Sequence, residues 1–571
     1  MKKRQKKIPQ TVYFADIETT QPNEFNEVRC YLWAVVTDNQ HYTGDSIATL
    51  VEFIKNNSGV YYFHNLKFDF SFIHFYCLSN NIKVDLLEKR NIIYSANIFN
   101  SQLRDTLNFL TMTLKEIGEN YCTQYKKTSI DYATPFDHVA TPEEIKYCIN
   151  DCLVLQEGFN VYIKSLKEVL TEAGCENTLK CIDKKLTNAG IAFEAFKEMS
   201  IFDKVCPKTT QGEFELYKMA YHGGYVYSKP NGVVDNVTMI DCNSMYPFIY
   251  ATIDMPYGKG FIVDEFEKLQ KYKFYIIKVN IKFDLKPGYI PIISRGRSVF
   301  GSTEYAVSSD GLYEEHTFAN KDFELIREFY DVDFDIIFGV GFDTQKEFYK
   351  KYADTFIEMK NRYKGVKRNV VKILLNSPYG KTAMNGFNVL KDYVIENGEL
   401  VGKITGYEID DNGYQYLPQG IAITAGARYL LLSTARNIGF DRVQYMDTDS
   451  IKFVGNMPNN IDVDENKLGA WKFEGCAIKF KTLSPKKYIC FMPIERTCFG
   501  NKITSNGITI TCAGFNKKQL SQVLNHNYFC SQNKAFEIIE KFDYGFAMDC
   551  LQSKKLTGGR ALIEVRKEIK H

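Results

Sequence analysis

The sequence predicts a multidomain protein with α/β and α+β architecture. At 571 residues the chain is too long for a single hydrophobic core, and we expect about three or four domains. Hydrophobic residues make up 45% of the chain and charged residues 25%, which is usual for a globular protein. Between residues 11 and 180, strand-like segments such as TVYFADIE and VYYFHNL alternate with helical segments. This alternation predicts a compact α/β domain early in the chain.

Targeting and redox signals are weak in this sequence. No apolar run approaches the ~18 residues of a membrane-spanning helix. The basic start MKKRQKKIPQ resembles a signal peptide, but TVYFADIETT follows directly and supplies acids in place of an apolar region. The 15 cysteines are scattered without a C-x-x-C pair, which favours reduced thiols over a zinc ribbon or a disulfide framework. We therefore expect a cytoplasmic protein that does not contact a membrane.

The early domain carries acidic residues in three segments. Asp16 and Glu18 are two residues apart on a predicted strand, so both side chains project from one face. Asp69 follows in FHNLKFDFSFI. Asp151 lies four residues after Tyr147, which puts both on one side of a helix that is predicted to begin after Thr141. Each acid alone is more often a surface residue, but four together can bind two divalent ions that assist hydrolysis of a phosphodiester.

A second acidic site is predicted around QYMDTDSIKF. Its flanking β-branched and aromatic residues favour strands, and its polar middle predicts a tight turn with Asp447 and Asp449 at the tip of a hairpin. Aspartates are common in turns without any function, but two close carboxylates repel each other unless a cation neutralises them. MIDCNSMYPFIY places Asp241 between a strand and a helix, and we expect Asp241 to join this site.

Positive charge is local, because the net charge is only +2. The run from 360 to 372 and the stretch KFKTLSPKKY resemble phosphate-binding surfaces, although such runs are more often solvated helix faces. In VVKILLNSPYGK, the residues Lys372, Asn376 and Tyr379 have i, i+4, i+7 spacing, which predicts one helix face suited to a triphosphate and its base. Pro378 removes a backbone donor there and is expected to kink the helix.

These patterns resemble two sets of known motifs. Asp16 with Glu18, Asn65 with Asp69, and Tyr147 with Asp151 resemble the three motifs of the DEDDy 3′–5′ proofreading exonucleases. D-x-x-S-M-Y-P, K-x-x-x-N-S-x-Y-G-K and Y-x-D-T-D-S resemble, in order, motifs A, B and C of the family-B DNA polymerases. KKY at 486–488 is similar to the motif that holds the primer terminus. YHGG at 221–224 is similar to the motif that links the exonuclease and polymerase regions.

The layout narrows this resemblance. The exonuclease motifs begin almost at residue 1, the chain is short, and long gaps separate the three polymerase motifs. This layout resembles the protein-primed DNA polymerases of small tailed bacteriophages. It implies an RNase H-like exonuclease domain followed by a right-hand polymerase with two insertions. The expected ranges are 1–173 for the exonuclease, 174–252 and 417–511 for the palm, 253–347 for the first insertion, 348–383 for the fingers, 384–416 for the second insertion and 512–571 for the thumb.

The resemblance also implies roles for individual residues, with two Mg²⁺ ions per active site that Mn²⁺ can replace. In the polymerase site, Asp241, Asp449 and the Cys242 carbonyl would hold metal, and Asp447 would add charge. In the exonuclease site the implied ligands and helpers are Asp16, Glu18, Asp69, Asp151, Tyr147 and Lys127. The residues implied to bind nucleotide are Tyr246, Lys360, Lys372, Asn376 and Tyr379. The residues implied to contact DNA are His64, Asn65, Phe68, Phe72, Thr106, Leu107, Tyr132, Tyr221, Gly223, Gly224, Ser244, Lys486 and Tyr488. Phe68, Phe72 and Leu107 could equally belong to the core.

The implied function is DNA-directed DNA synthesis with 3′–5′ proofreading, started on a protein primer and continued with strand displacement on a linear phage-type genome. The implied partners are template and primer DNA, deoxynucleoside triphosphates and a terminal protein, for a monomer in the cytoplasm of a bacterial host. The alternatives are a conventional family-B polymerase, an exonuclease with a decayed polymerase half, and a non-enzymatic nucleic-acid scaffold. Intact Asp241, Lys372 and Asp449 argue against decay, and a scaffold needs no metal-binding acids.

Overall fold

The computed structural model describes residues 11–38, 40–89, 92–130, 134–297, 303–410, 413–498, 501–513, 532–543, 545 and 547–569. The first elements form one α/β unit. They are β1 (Thr11–Thr19), β2 (Cys30–Val36), β3 (His41–Gly44), α1 (Ile47–Asn56), β4 (Gly59–Phe63), α2 (Leu66–Ser79), β5 (Val84–Lys89), β6 (Ile92–Ile98), β7 (Ser101–Asp105), α3 (Leu114–Asn120) and α4 (Pro142–Glu172).

The sheet of this unit has the order β3-β2-β1-β4-β7-β6-β5. The pairs β1–β4 and β4–β7 are parallel, and the other pairs are antiparallel. Every residue of β2 is buried, because helices cover the sheet around it. The sheet therefore confirms the α/β domain that the alternating segments predict.

Helix α4 packs across β1 and β2. It begins as predicted, with Thr141 as N-cap in a capping box with Glu144 and with Pro142 in its first turn. The thiols of Cys148 and Cys152 are buried against the backbone carbonyls of Asp16 and Ala34. These cysteines hold the helix close to the strands, and no disulfide joins the cysteines of the described part of the chain.

A second sheet forms the centre of the molecule. The elements that lead into it are α5 (Glu176–Cys181), α6 (Asn188–Glu198), α7 (Phe202–Val205), α8 (Gln211–Lys218), β8 (Val226–Ser228), β9 (Val234–Cys242) and α9 (Met245–Thr252). Its later elements are α15 (Leu417–Ile438), β18 (Val443–Asp447), β19 (Ser450–Val454), β20 (Trp471–Ser484), β21 (Lys487–Cys498) and β22 (Asn501–Cys512). The order β22-β21-β20-β9-β19-β18-β8 is antiparallel throughout and places β9 between β19 and β20.

The first inserted region leaves this sheet after α9. It contains β10 (Met255–Val263), α10 (Phe266–Leu269), β11 (Phe274–Leu285), β12 (Ile293–Arg297), β13 (Thr303–Ala306), β14 (Glu314–Ala319), α11 (Asn320–Phe329) and β15 (Tyr330–Gln345). Four of its strands form an antiparallel sheet in the order β10-β15-β11-β14. Helix α11 lies between this sheet and α15, so the inserted region packs directly on the central unit.

A helical pair and a long hairpin follow the first inserted region. The helices are α12 (Lys350–Arg362), α13 (Gly365–Asn376) and the short α14 (Tyr379–Thr382), and the hairpin is β16 (Phe387–Glu396) with β17 (Glu399–Ile409). Asn397 and Gly398 both have positive φ, as a two-residue hairpin turn of the Asn-Gly type requires. A second Asn-Gly pair, at 412–413, is also expected to form a turn, but Asn412 lies outside the described residues.

The C-terminal elements reach back to the α/β unit. They are α16 (Gln532–Glu540), β23 (Ala547–Leu556) and β24 (Gly559–Glu568). Between β23 and β24, the carbonyl of Thr557 accepts a hydrogen bond from the amide of Val28 at 3.0 Å. Lys555 donates to the carbonyl of Leu400 in β17 at 3.0 Å. The two hairpins and the α/β unit therefore touch one another, although they are far apart in sequence.

A membrane-spanning helix is absent from the described part of the chain, because each helix there is too short or too polar for one.

Candidate functional site

Four carboxylates converge where β1, α2 and α4 meet. Asp16 and Glu18 lie on one face of β1, and their oxygens lie within 4.8 Å of each other and of the Cys148 sulfur. Asp69 comes from the first turn of α2 and Asp151 from α4, and both are buried. The charge of Asp151 raises the pKa of Asp16, and the charge of Asp16 raises the pKa of Asp69. These carboxyls therefore form one electrostatic cluster.

The carboxyl pKa values in this cluster are raised above their ordinary values. Burial, assisted by the charge of Asp151, raises the pKa of Asp16 to about 7. Burial also raises the pKa values of Glu18, Asp69 and Asp151. Among the described residues, the Oδ1 atoms of Asp69 and Asp151 are buried without a hydrogen-bond partner. Buried carboxylate oxygens without partners are costly, and oxygen ligands of this kind suit a hard divalent cation. The donor set therefore fits metal binding.

Lys127 and Tyr147 lie beside Asp151. The Lys127 ammonium donates to the Tyr147 hydroxyl at 2.8 Å and forms an ion pair with Asp151. Tyr147 and Asp151 are one helical turn apart on α4, which the i, i+4 spacing predicts. A lysine that contacts both groups can hold the phenol in a fixed orientation next to the carboxylates.

The residues predicted to line a DNA strand are only partly free to do so. His64 contacts the Thr106 hydroxyl at 3.0 Å and the Met112 carbonyl at 2.8 Å, and Thr106 is fully buried. Asn65 is exposed and has left-handed backbone geometry, and its backbone N–H donates to the Asp105 carboxylate at 3.0 Å. These contacts hold the loop between β4 and α2, and they leave the Asn65 side chain exposed.

The aromatic members of that set differ from one another. Phe72 is 2% exposed and faces Gly559 of β24, so the expectation that it stacks on DNA is wrong and its place is in the core. The physical reason is that the C-terminal hairpin covers this face of α2. Phe68 and Leu107 are half-buried and keep both possibilities. Tyr132 lies outside the described residues.

The second acidic centre lies at the end of β9. Asp241 pairs with Ser450 of β19, and the Cys242 amide donates to the Asp449 carbonyl at 2.8 Å. The hairpin predicted from QYMDTDSIKF is confirmed, with Thr448 at φ 60° in its turn. Burial and the charge of Asp449 raise the pKa of Asp241 to about 7, and burial raises that of Asp449. The two carboxyls therefore share one partly buried site.

Asp447 differs from its neighbours because it has a cationic partner. The Lys486 ammonium donates to Asp447 at 2.5 Å, and the Lys486 amide donates to the Tyr445 hydroxyl at 3.1 Å. The ring of Tyr488 lies 4.9 Å from that of Tyr445. The KKY segment is thus fastened to the hairpin, and the charge of Asp447 is neutralised within the protein.

Basic and aromatic side chains face this centre from the helices. The Lys360 ammonium donates to the Ser244 hydroxyl at 3.0 Å. Burial lowers the pKa of Lys360, and the nearby positive charges of Arg368 and Lys372 lower it further. The rings of Tyr246 and Tyr379 stack with centroids 4.1 Å apart. Three cations close enough to repel one another form a suitable place for a polyanion.

The prediction that Lys372, Asn376 and Tyr379 share one helix is wrong for Tyr379. Helix α13 ends at Asn376, and Tyr379 begins α14. Pro378 has no N–H to donate to the Leu374 carbonyl, and that carbonyl accepts from the Tyr352 hydroxyl at 2.7 Å instead. The expected kink is therefore a full break between two helices.

The basic residues between 360 and 372 do not all face the same partners. Arg362 forms an ion pair with Glu172, and Lys367 forms one with Glu168 at 2.8 Å, both on α4. Those two cations hold the helical pair against the α/β unit. The interpretation of the whole run as a phosphate surface is therefore wrong for them, because opposite charges on α4 already pair with them.

Gly224 of the YHGG segment approaches the aspartate hairpin closely. A Cβ atom at Gly224 would lie 2.4 Å from the Thr448 hydroxyl, and the Thr448 amide donates to the Tyr225 carbonyl at 2.9 Å. Arg428, which the motifs do not include, donates to the carbonyls of His222 and Gly223. A charged residue inside the apolar stretch IAITAGARYLLL is the sequence signal for it.

Sequence comparisons relate this chain to known DNA polymerases. The family model described as DNA polymerase type B, organellar and viral, matches residues 51–140 and 134–466. The DNA polymerase of Bacillus phage B103 is 28% identical over 562 residues, covering 91% of this chain and 95% of that protein. The DNA polymerase of Streptococcus phage Cp-1 is 26% identical over 523 residues, covering 84% and 88%.

Solved structures of a phage DNA polymerase superpose on nearly the whole chain. Phi29 DNA polymerase in complex with primer-template DNA and incoming nucleotide substrates superposes with a TM-score of 0.85 at 25% identity, and the match covers 98% of this chain and 100% of that one. A second structure of that polymerase, in complex with single-stranded DNA, has a TM-score of 0.83 at 25% identity over the same shares.

Proposed function

This chain belongs to the organellar and viral type B DNA polymerases, and we propose that its two acidic centres carry out nucleotidyl transfer and 3′–5′ hydrolysis of DNA separately. The predicted DNA-directed DNA polymerase and its multidomain fold are confirmed by the family and by the superposition on the phage enzyme. The observation that carries the proposal is the position of Asp241 beside Asp449, with Lys360 bonded to Ser244, three residues after Asp241.

As a DNA polymerase, the enzyme depends on divalent metal ions. We propose two Mg²⁺ ions per site, replaceable by Mn²⁺, held in the polymerase site by Asp241, Asp449 and the Cys242 carbonyl. In the exonuclease site the proposed ligands are Asp16, Glu18, Asp69 and Asp151. The chemistry that bound Mg²⁺ supplies is activation of the attacking oxygen and neutralisation of charge on the phosphates. The raised carboxyl pKa values and the unpartnered Asp69 and Asp151 oxygens support this assignment.

The remaining residues bind and orient the substrates. Lys360 and Lys372 bind the triphosphate as point charges. Tyr246 lies under the sugar and excludes a 2′-OH, with its ring held by Tyr379. Lys486 keeps Asp447 neutralised next to the primer terminus. In the exonuclease site, Lys127 orients Tyr147 towards the attacking water.

Primer and template DNA and deoxynucleoside triphosphates are the proposed substrates. The phage relative solved with primer-template DNA and incoming nucleotides supports them, because its whole chain superposes on this one. The domain boundaries expected from the sequence are also part of the proposal.

Substitution of each centre in turn tests the proposal. Asp449→Ala should abolish primer extension and leave degradation of single-stranded DNA intact, and Asp16→Ala with Glu18→Ala should do the reverse. The reason is that the two centres share no carboxylate. Both reactions are measured on one labelled primer, with and without nucleotides. Equal loss of both activities in either variant would reject separate centres, and extension by Asp449→Ala would reject the polymerase assignment.

We also propose that synthesis starts on the side-chain hydroxyl of a terminal protein, with the enzyme acting as a monomer. Full-length similarity to polymerases of Bacillus and Streptococcus phages supports this mode. A labelled deoxynucleotide should become attached to a candidate terminal protein and migrate with it on a denaturing gel, dependent on Asp449 and independent of Asp16. Robust DNA-primed extension without any protein labelling would instead favour a conventional nucleic-acid-primed enzyme.

A further inference from the structure

A buried ion pair joins the first inserted region to the central sheet. Arg428 of α15 is 6% exposed, and its Nε and one terminal nitrogen donate to the two carboxylate oxygens of Asp322 at 2.8 and 2.5 Å. Asp322 lies in the first turn of α11. Two parallel charge-assisted hydrogen bonds fix the plane of the guanidinium, so Arg428 has a single well-defined orientation.

The other terminal nitrogen of Arg428 points to the YHGG segment. It donates to the carbonyls of His222 and Gly223 at 2.5 and 2.8 Å. A buried ion pair needs such additional partners to offset the loss of hydration. With Asp322 on one side and two carbonyls on the other, Arg428 fixes the position of the backbone at 222–223 relative to α11.

That backbone leads directly to the catalytic hairpin. The Tyr225 carbonyl accepts from the Thr448 amide at 2.9 Å, and Val226 pairs with Asp447. Gly224 leaves no room for displacement towards Thr448, because even a Cβ atom there would lie 2.4 Å from its hydroxyl. A shift of the segment 222–225 would therefore move the turn that carries Asp449.

We propose that Arg428, held by Asp322, is a positioning residue for nucleotidyl transfer that sets the location of the Asp447–Asp449 turn through the segment 222–225. The inference rests on the proposed polymerase function of that turn. It assigns the first inserted region a part in placing the catalytic carboxylates.

The same pair of helices offers a matched control. Arg436 of α15 and Glu328 of α11 form an ion pair at 2.6 Å, but both are partly exposed, and Arg436 lies two helical turns beyond Arg428. Glu328→Gln removes one charge from the α11–α15 interface in the same way as Asp322→Asn. The two variants differ in one respect: the arginine paired with Asp322 also donates to the carbonyls of His222 and Gly223, and the comparison isolates that contact.

The test measures the maximal rate of single-nucleotide insertion, the nucleotide KM, degradation of single-stranded DNA and the melting temperature. Asp322→Asn and Arg428→Lys should lower the maximal insertion rate about tenfold or more, because small displacements of reacting groups are costly. The nucleotide KM and the degradation rate should change little, since Lys360, Lys372 and the exonuclease centre do not depend on the turn. Glu328→Gln should match the wild type in all four.

Insertion at the wild-type rate by both variants would overturn the proposal. A parallel fall of insertion and degradation that follows the melting temperature would also overturn it, in favour of a purely structural ion pair. If Asp322→Asn does not fold, Asp322→Glu and Arg428→Lys decide between the same outcomes. A wild-type enzyme that inserts no nucleotide would refute the polymerase proposal itself, and this result is distinct from either of the others.

Discussion

The rings of Tyr246 and Tyr379 stack face to face, with an interplanar angle of 13°. Tyr246 comes from α9, next to Asp241, and Tyr379 begins α14 after the break at Pro378. The stack fixes a flat surface beside the acidic centre that neither helix could hold in place alone. The stack limits the movement of both rings, because partly buried aromatic rings with a defined partner have few alternative positions.

This stack predicts how the enzyme selects the sugar. Tyr246→Val should admit ribonucleotides and lower the discrimination against them by about tenfold or more, because the space for a 2′-OH opens. The measurement is kcat/KM for matched deoxy- and ribonucleotides in one assay. The kinetics with the deoxynucleotide serve as the internal control. Unchanged discrimination would mean that a different group contacts the 2′ position.

The contact between Lys127 and Tyr147 predicts a role in hydrolysis. Lys127→Ala should slow degradation of single-stranded DNA by about 10²-fold or more, because Tyr147 and Asp151 lose the cation that orients them. Primer extension should be retained. Lys126→Ala is the matched control, since the Lys126 ammonium donates to the carbonyls of Gly118 and Cys122 instead. Equal slowing by both substitutions would show that the lysines only support the fold of this loop.

The carboxyl pKa values predict a pH dependence of metal binding. Asp16 and Asp241 have pKa values raised to about 7. At about pH 6 both are mostly protonated and a metal ion must displace those protons, whereas at about pH 8 they are ionised. Mg²⁺ should therefore raise the melting temperature more at the higher pH. Calorimetry or dye-monitored melting measures this difference.

A variant that lacks some of the proposed metal ligands in each centre provides the control for that experiment. Asp16→Ala, Glu18→Ala and Asp449→Ala combined should lose most of the Mg²⁺-induced shift at both pH values. An equal or larger shift at the lower pH in the wild type would contradict metal binding at these carboxyls.

The β16–β17 hairpin predicts a role in strand displacement. Its base is closed by a 2.8 Å hydrogen bond from the Asp410 amide to the Gly386 carbonyl, so residues 387–409 can be replaced by a short glycine-serine turn without pulling the flanking chain. The replaced enzyme should fill short gaps normally but copy duplex DNA poorly, because the contacts of the hairpin with Lys555 and with Glu88 are removed.

Lys391→Ala is the graded control for the hairpin, since it removes the ion pair with Glu88 at 3.0 Å and keeps both strands. It should have a smaller effect on strand displacement than the replacement. Strand displacement at the wild-type rate by the replaced enzyme would show that the hairpin does not act on the duplex.

The sequence by itself determined the acidic pairs, the hairpin of Asp447 and Asp449, and the start of α4, because each depends on spacing or on capping within a few residues. The tertiary structure alone decided that Phe72 is covered by Gly559, that Lys367 pairs with Glu168, and that Arg428 meets Asp322. These contacts join segments more than 100 residues apart. Local propensity does not determine such pairings, because they follow from how whole elements pack.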